Sequence, residues 1–124
     1  MKPKILLALV ALVALAGSSV PSSAGTPRAK TRVTIRVEGR DFSGTVRSPK
    51  PQRCANGRTI RLHKQQGAQQ HPNTDQVVAT DTASFNGERY EWSTGNTGQN
   101  GRFYARARRT AQCKADSSRT LQTE

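Results

Sequence analysis

Val33, Ile35 and Val37 alternate with Arg32, Thr34, Arg36 and Glu38. A repeat of two along the chain suits a strand with one buried face and no helix. The same spacing returns down the chain. Residues 42–48 place Phe42, Gly44 and Val46 on one side, and residues 58–66 turn Ile60 and Leu62 inward with Arg61 and His63 outward. Residues 76–85 carry Val77 and Ala79, residues 88–93 carry Tyr90 and Trp92, and residues 102–109 carry Phe103, Ala105 and Ala107. Residues 117–122 read as a last edge strand. Turn residues separate these runs: Gly39-Arg40-Asp41, then Asn86-Gly87, a two-residue hairpin signal because both positions favour φ > 0. Residues 48–57, 67–75 and 95–101 are rich in Pro, Gly, Asn and Gln and read as loops. No helical period occurs after residue 25. Six to seven short antiparallel strands with turns between them imply an all-β sandwich or barrel over residues 31–122, preceded by a loose leader at 25–30.

The core of such a domain is thin. Residues 25–124 hold five Val, two Ile, two Leu and three Phe beside Tyr90, Trp92 and Tyr104, a supply close to that of disordered chains. The period-two order argues for a fold, and so do Cys54 and Cys113, the two cysteines of the chain. In an oxidising compartment they pair, and a loop of that length is worth about 4 kcal/mol on the chain-entropy model. The alternative is two unpaired thiols.

Compartment follows from the start of the chain. Lys2 and Lys4 precede an apolar run from Ile5 to Gly17, and Ser22-Ser23-Ala24 supplies the small residues that a signal peptidase reads. Residues 1–24 are therefore expected to be a helical signal peptide cleaved after Ala24, and the protein secreted, extracellular or held in the cell envelope. The alternative is a retained N-terminal anchor. With Lys2 and Lys4 removed, 18 basic residues, 14 of them Arg, face 8 acidic ones, a net charge of about +10. Such a charge favours anionic partners: nucleic acid, phosphate-rich wall polymers or anionic membrane surfaces.

The runs Phe42-Ser43-Gly44-Thr45-Val46, Gly57-Arg58-Thr59-Ile60-Arg61-Leu62, Ala79-Thr80-Asp81-Thr82 with Asn86-Gly87, and Gly101-Arg102-Phe103-Tyr104-Ala105-Arg106-Ala107 together resemble the carboxypeptidase regulatory-like, transthyretin-like (prealbumin-like) β-sandwich. Short secreted bacterial proteins of this type carry one cysteine before the third strand and one after the sixth, as here. The resemblance spans residues 31–121 and implies an immunoglobulin-like sandwich. The chain departs from the family pattern at 67–75, which lacks Pro-Leu-x-Gly, and at 95–101, which lacks Pro-Gly. The family has no common catalytic residues, so none are implied for this chain.

Chemistry is sparse. His63 and His71 stand eight apart with no further Cys or His ligands, and Asp75 and Asp81 do not match a calcium loop, so neither metal nor other cofactor is expected. A secreted ribonuclease would need a base, an acid and a cation about a phosphodiester; Glu88 or Glu91 with His63 or His71 supplies the types. Both histidines, however, precede Glu88, whereas small microbial ribonucleases place theirs after the Glu and Arg. A protease inhibitor would need a rigid exposed loop, for which residues 48–57, braced by Pro49, Pro51 and Cys54, are the candidate. The remaining feature is the basic face. If Phe103, Ala105 and Ala107 point inward, Arg102, Tyr104, Arg106 and Arg108 face out, joined by Arg61 and His63 and, on the first strand, Arg32 and Arg36. An arginine row with an aromatic suits a polyanion read by charge and not by sequence; a merely solvated face is the plainer alternative. The expectation is a non-enzymatic structural or binding module whose candidate anion site is Arg61, Arg102, Tyr104, Arg106 and Arg108, and whose partner is an anionic cell-wall polymer or another envelope protein.

Overall fold

A computed structural model describes residues 26–123. The expected signal peptide and its cleavage point lie outside the described residues. The strands are β1 (Arg32–Val33), β2 (Arg36–Glu38), β3 (Asp41–Arg47), β4 (Thr59–Lys64), β5 (Gln76–Thr82), β6 (Ser84–Phe85), β7 (Tyr90–Asn96), β8 (Gly101–Ala107), β9 (Asp116–Ser117) and β10 (Leu121–Thr123). They form two antiparallel sheets. One has the order β1-β3-β7-β6, with β2 also on β3; the other has β10-β8-β4-β5, with β9 also on β8. Seven runs of chain account for all ten, because three runs are interrupted.

Each interruption has a local cause. The first run breaks at Thr34, whose carbonyl accepts the Trp92 indole N–H at 3.0 Å. Thr34 instead meets Thr45 through a 2.7 Å hydroxyl pair and accepts its N–H at 2.9 Å. The fourth run breaks at buried Ala83, where the chain leaves β4 and joins β7 in the other sheet. Ala83 donates to the Arg58 carbonyl and accepts from Gly57 N, so the crossing point is bonded on both sides. The last run breaks at Ser118, whose hydroxyl accepts from Ala105 N at 2.9 Å.

The core lies between the sheets. Phe42, Val46 and Trp92 from one sheet meet Ile60, Leu62, Phe103, Ala105 and Ala107 from the other, all buried, with Val33, Ile35 and Ala83 at the margins. The Phe42 and Phe103 rings lie 4.9 Å apart, tilted at 54°. Trp92 is buried as the alternation implies. Tyr90 is only half-buried; it packs on exposed Phe85 at 5.0 Å, and its hydroxyl accepts from Gln52. Its place opposite Val46 at the end of β7 puts it at the rim.

Cys54 and Cys113 form a disulfide, both buried. Cys54 closes a single helical turn, α1 (Pro51–Cys54), within a segment expected to be loop throughout. Pro51 can start a turn because its missing N–H is not needed there, and Lys50 O accepts from Arg53 and Cys54 N. Ala29, within the expected loose leader, donates to Gln112 O and accepts from Lys114 N, which lays it parallel to Cys113. The Asn86-Gly87 hairpin is a four-residue loop, not a two-residue turn: Phe85 pairs with Tyr90, and the Asn86 side-chain oxygen accepts from Glu88 and Arg89 N.

Candidate arginine pocket

The outer face of the second sheet is where the candidate anion site was expected, and two of its outward positions are not at the surface. Tyr104 and His63, opposed across β8 and β4, stack at 5.0 Å with planes 6° apart, and both are buried. The segment 65–75 folds over them. Tyr104 donates its hydroxyl to Asp75 Oδ2 at 2.6 Å; His71 N donates to the same oxygen at 2.8 Å, and Gln66 N to Oδ1 at 3.1 Å. Gln65 N bonds to Arg102 O, and Gln70 reaches Ser118 O and Thr120 Oγ1 across the face. Tyr104 therefore stacks no polymer base or sugar. It seals a second, polar layer, and the expectation that it lines an anion site is corrected. Burial and the Asp75 bond and charge push the Tyr104 phenol well above its ordinary value. Burial alone would raise the Asp75 carboxyl; its bonds from Tyr104, His71 and Gln66 outweigh that and hold it below its ordinary value.

The arginines divide. Arg61, Arg106 and Arg108 come together with Arg109, His63, Pro72 and Asn73 around a pocket of ≈ 380 Å³. Arg102 does not join them. It lies four residues before Arg106, about 13 Å along the strand, opposite Gln122 at the other end of β8. Arg109 lies within the expected strand at an inward position and so was not foreseen here: β8 ends at Ala107, and the chain has left it before Arg109. A second pocket of ≈ 450 Å³ shares Arg61, Arg108 and Arg109 and adds Arg53 and Arg58. No acidic side chain lines either. Arg58 has a different task. It is buried, and its guanidinium donates to Thr31 Oγ1, Cys54 O, Arg108 O and Lys114 O at 2.7–2.9 Å.

Electrostatics make the pocket unusual. Arg61 and Arg106 are direct cross-strand partners, so two like charges stand side by side on one face; opposed like charges destabilise a sheet. Arg106 donates to Ser117 Oγ at 2.7 Å, which fixes the side chain but leaves the charge unmatched. The one ion pair among the described residues, Arg89–Glu88 at 3.1 Å, lies elsewhere on the exposed 86–89 loop. Arg32 and Arg47 are also opposed, on β1 and β3, but their larger groove of ≈ 750 Å³ has Asp116 in its wall. Asp116 caps Val33 N at 2.7 Å and tempers the positive field there.

His63 borders the arginine pocket with its hydrogen bonding incomplete. Nδ1 lies 3.2 Å from the Asp75 carbonyl, which can only accept, so Nδ1 carries the proton. Nε2 is buried and has no partner. Burial holds the ring below its ordinary value; the Asp75 carbonyl bond and carboxylate act against this, while Arg106 and Arg61 press the same way as burial.

The other candidates are placed as follows. Glu88 sits on the exposed 86–89 loop and Glu91 on β7 of the first sheet, whereas His63 is on the outer face of the second and His71 on its covering loop. The carboxylate and imidazole needed for phosphodiester cleavage are not brought together. Residues 48–57, the candidate inhibitor loop, contain the α1 turn and the buried Cys54 and Ala55. No group of three or more His, Cys, Asp or Glu suited to a metal occurs among the described residues, and no helix among them is long and apolar enough to cross a membrane. No family model, curated protein or solved structure matches this chain.

Proposed function

We propose that this protein is a non-enzymatic, exported β-sandwich of the immunoglobulin-like, transthyretin-like type that attaches to an anionic polymer of the cell envelope or its surroundings. The observation that carries the reading is the convergence of Arg61, Arg106, Arg108 and Arg109 on one concave patch without an acidic side chain in its wall. A cross-strand arginine pair costs stability in the free protein, and a bound polyanion relieves that cost while releasing counterions. Neighbouring strand orders with a chain that changes sheets midway accord with the sandwich class, and the apolar run at residues 5–17 behind Lys2 and Lys4 accords with export.

The test compares two variants of equal net charge. One replaces Arg61, Arg106 and Arg108 by Gln; the other replaces Arg36, Arg40 and Arg119, which are exposed and away from the pocket. Binding to a wall-type polyphosphate and to DNA is followed as salt rises. The first variant is expected to lose at least about tenfold in affinity and to show a shallower salt slope, by about one power of salt for each phosphate contact removed. Equal losses in both variants leave bulk charge alone and dismiss the pocket.

A further inference from the structure

We infer that the arginine pocket accepts an oxyanion that brings a hydroxyl of its own, which donates to Nε2 of His63. This deepens the anion-binding reading above and rests on it. Arginines supply donors only, and any oxyanion satisfies them. His63 contributes the opposite property. Its Nδ1 proton is committed to the Asp75 carbonyl, so Nε2 holds a lone pair and no hydrogen. An acceptor buried without a partner costs free energy, and a ligand hydroxyl is the group that cancels the cost.

Sulfate and hydrogen phosphate have similar shapes, and at about pH 8 both are largely dianionic; only hydrogen phosphate still carries a P–OH. Pure charge attraction treats them alike. A site with an unsatisfied acceptor rejects the ion that has nothing to donate. The same acceptor would take a carbon-borne hydroxyl next to a phosphate, as in a polyol phosphate. Nε2 is closed to water in the free protein, so the anion enters by moving side chains that cover the ring. Exposed Asn73, Arg108 and Arg109, which line the same pocket, have the freedom to move.

The groups facing the His63 ring are few. Arg61 shares its strand, Tyr104 and Arg106 come from β8, and Asp75 with the His71 segment comes from the covering loop. Tyr104 and Asp75 are bonded to each other and keep their protonation across the neutral range. The acceptor is therefore lost only when His63 itself takes a proton. Acid turns Nε2 into a donor, and sulfate then fits as well as phosphate.

The experiment titrates the full protein with sodium phosphate and sodium sulfate at equal ionic strength, following amide signals of Arg61, Asn73 and Arg106 by NMR. Glycerol phosphate and methyl phosphate form a second pair, which separates a hydroxyl on carbon from one on phosphorus. At about pH 8 we expect the hydroxyl-bearing member of at least one pair to bind about tenfold tighter. The preference should be lost as acid protonates the imidazole, in step with the His63 ring signals and not with the phosphorus signal of the ligand, and His63→Phe, which keeps a ring stacked on Tyr104, should abolish it at every pH. Reading the loss against the His63 ring signals keeps the test on the unaltered protein should that variant not fold. No preference within either pair, with all four anions still bound in a salt-sensitive manner, overturns the inference and leaves the arginine pocket intact. Absence of binding by all four, together with indifference of polymer binding to the Arg61, Arg106 and Arg108 replacements, overturns both.

Discussion

Tyr104 and Asp75 meet at 2.6 Å beneath the segment 65–75, and this bond fastens a polar loop to the outside of a sheet. Three donors converge on the Asp75 carboxylate, two of them backbone amides of the loop itself. Hydrogen bonds to an ionised acceptor are worth about 1.5–3 kcal/mol each. Tyr104→Phe is expected to cost about that much in a urea titration. Asp75→Ala, which orphans all three donors, should cost more and speed amide exchange at Gln66 and His71. A normal exchange pattern in the Asp75 variant would show that the loop is held by other means.

Acid and alkali should each weaken the fold through this layer, by different residues. His63 is held below its ordinary value of 6.5, so below that pH the unfolded chain binds more protons than the native one and stability falls. Asp75 is held below 3.8, so its contribution is complete above that pH and is lost as pH drops through the lowered value. Tyr104 is raised above 10.0, so in alkali the unfolded phenol ionises while the native one does not, and stability declines above that pH. Urea midpoints measured across pH should form a plateau between these limits. Tyr104→Phe should remove the tyrosine's share of the alkaline decline; an unchanged alkaline limb would contradict the assignment.

Gly44 is the position where a single methyl group should do most harm. Its residue pairs with Trp92 on the neighbouring strand, and a Cβ there would run into the Thr34 carbonyl and lie 2.6 Å from Trp92 Nε1. The indole–carbonyl bond exists because nothing occupies that space. Gly44→Ala is expected to cost about 1–3 kcal/mol or more and to shift Trp fluorescence to longer wavelength as the ring is displaced from its buried seat. Trp92→Ala should cost about 3–5 kcal/mol. A blue-shifted emission unaltered in the Gly44 variant would sink this account of the break in the first strand.

The disulfide is testable by mass. Reduction should add two hydrogens, and the intact native protein should offer no thiol to a labelling reagent. Replacing both cysteines by Ala should cost about 4 kcal/mol, a large fraction of what a small domain has. Thiol labelling at both positions in the native protein would refute the pairing.

The strands were legible because the two-residue repeat marks a buried face directly: Val33, Ile35, Phe42, Val46, Ile60, Leu62, Trp92, Phe103 and Ala105 all point where the alternation puts them. What it could not show is how a second face is covered. Tyr104 and His63 lie at outward positions, and alternation alone assigns such positions to solvent. Only the fold of 65–75, whose Gln, His, Pro and Asn residues read as an ordinary polar loop, brings Asp75 over them. The disulfide was legible from two cysteines and an apolar leader. The arginine pocket was legible in part: Arg61, Arg106 and Arg108 converge, but Arg102 and Arg109 exchange roles because strand ends and exits depend on tertiary packing.

Arg58 ties the closing of the interior to residues far along the chain. Two of its four oxygen partners, the carbonyls of Arg108 and Lys114, lie 50 and 56 residues further along the chain. Until those carbonyls arrive, closing the interior means enclosing a cation with only half its partners. A chain cut before residue 108 is therefore expected to lose cooperative unfolding in urea, because the buried Arg58 cation keeps only two of its four acceptors.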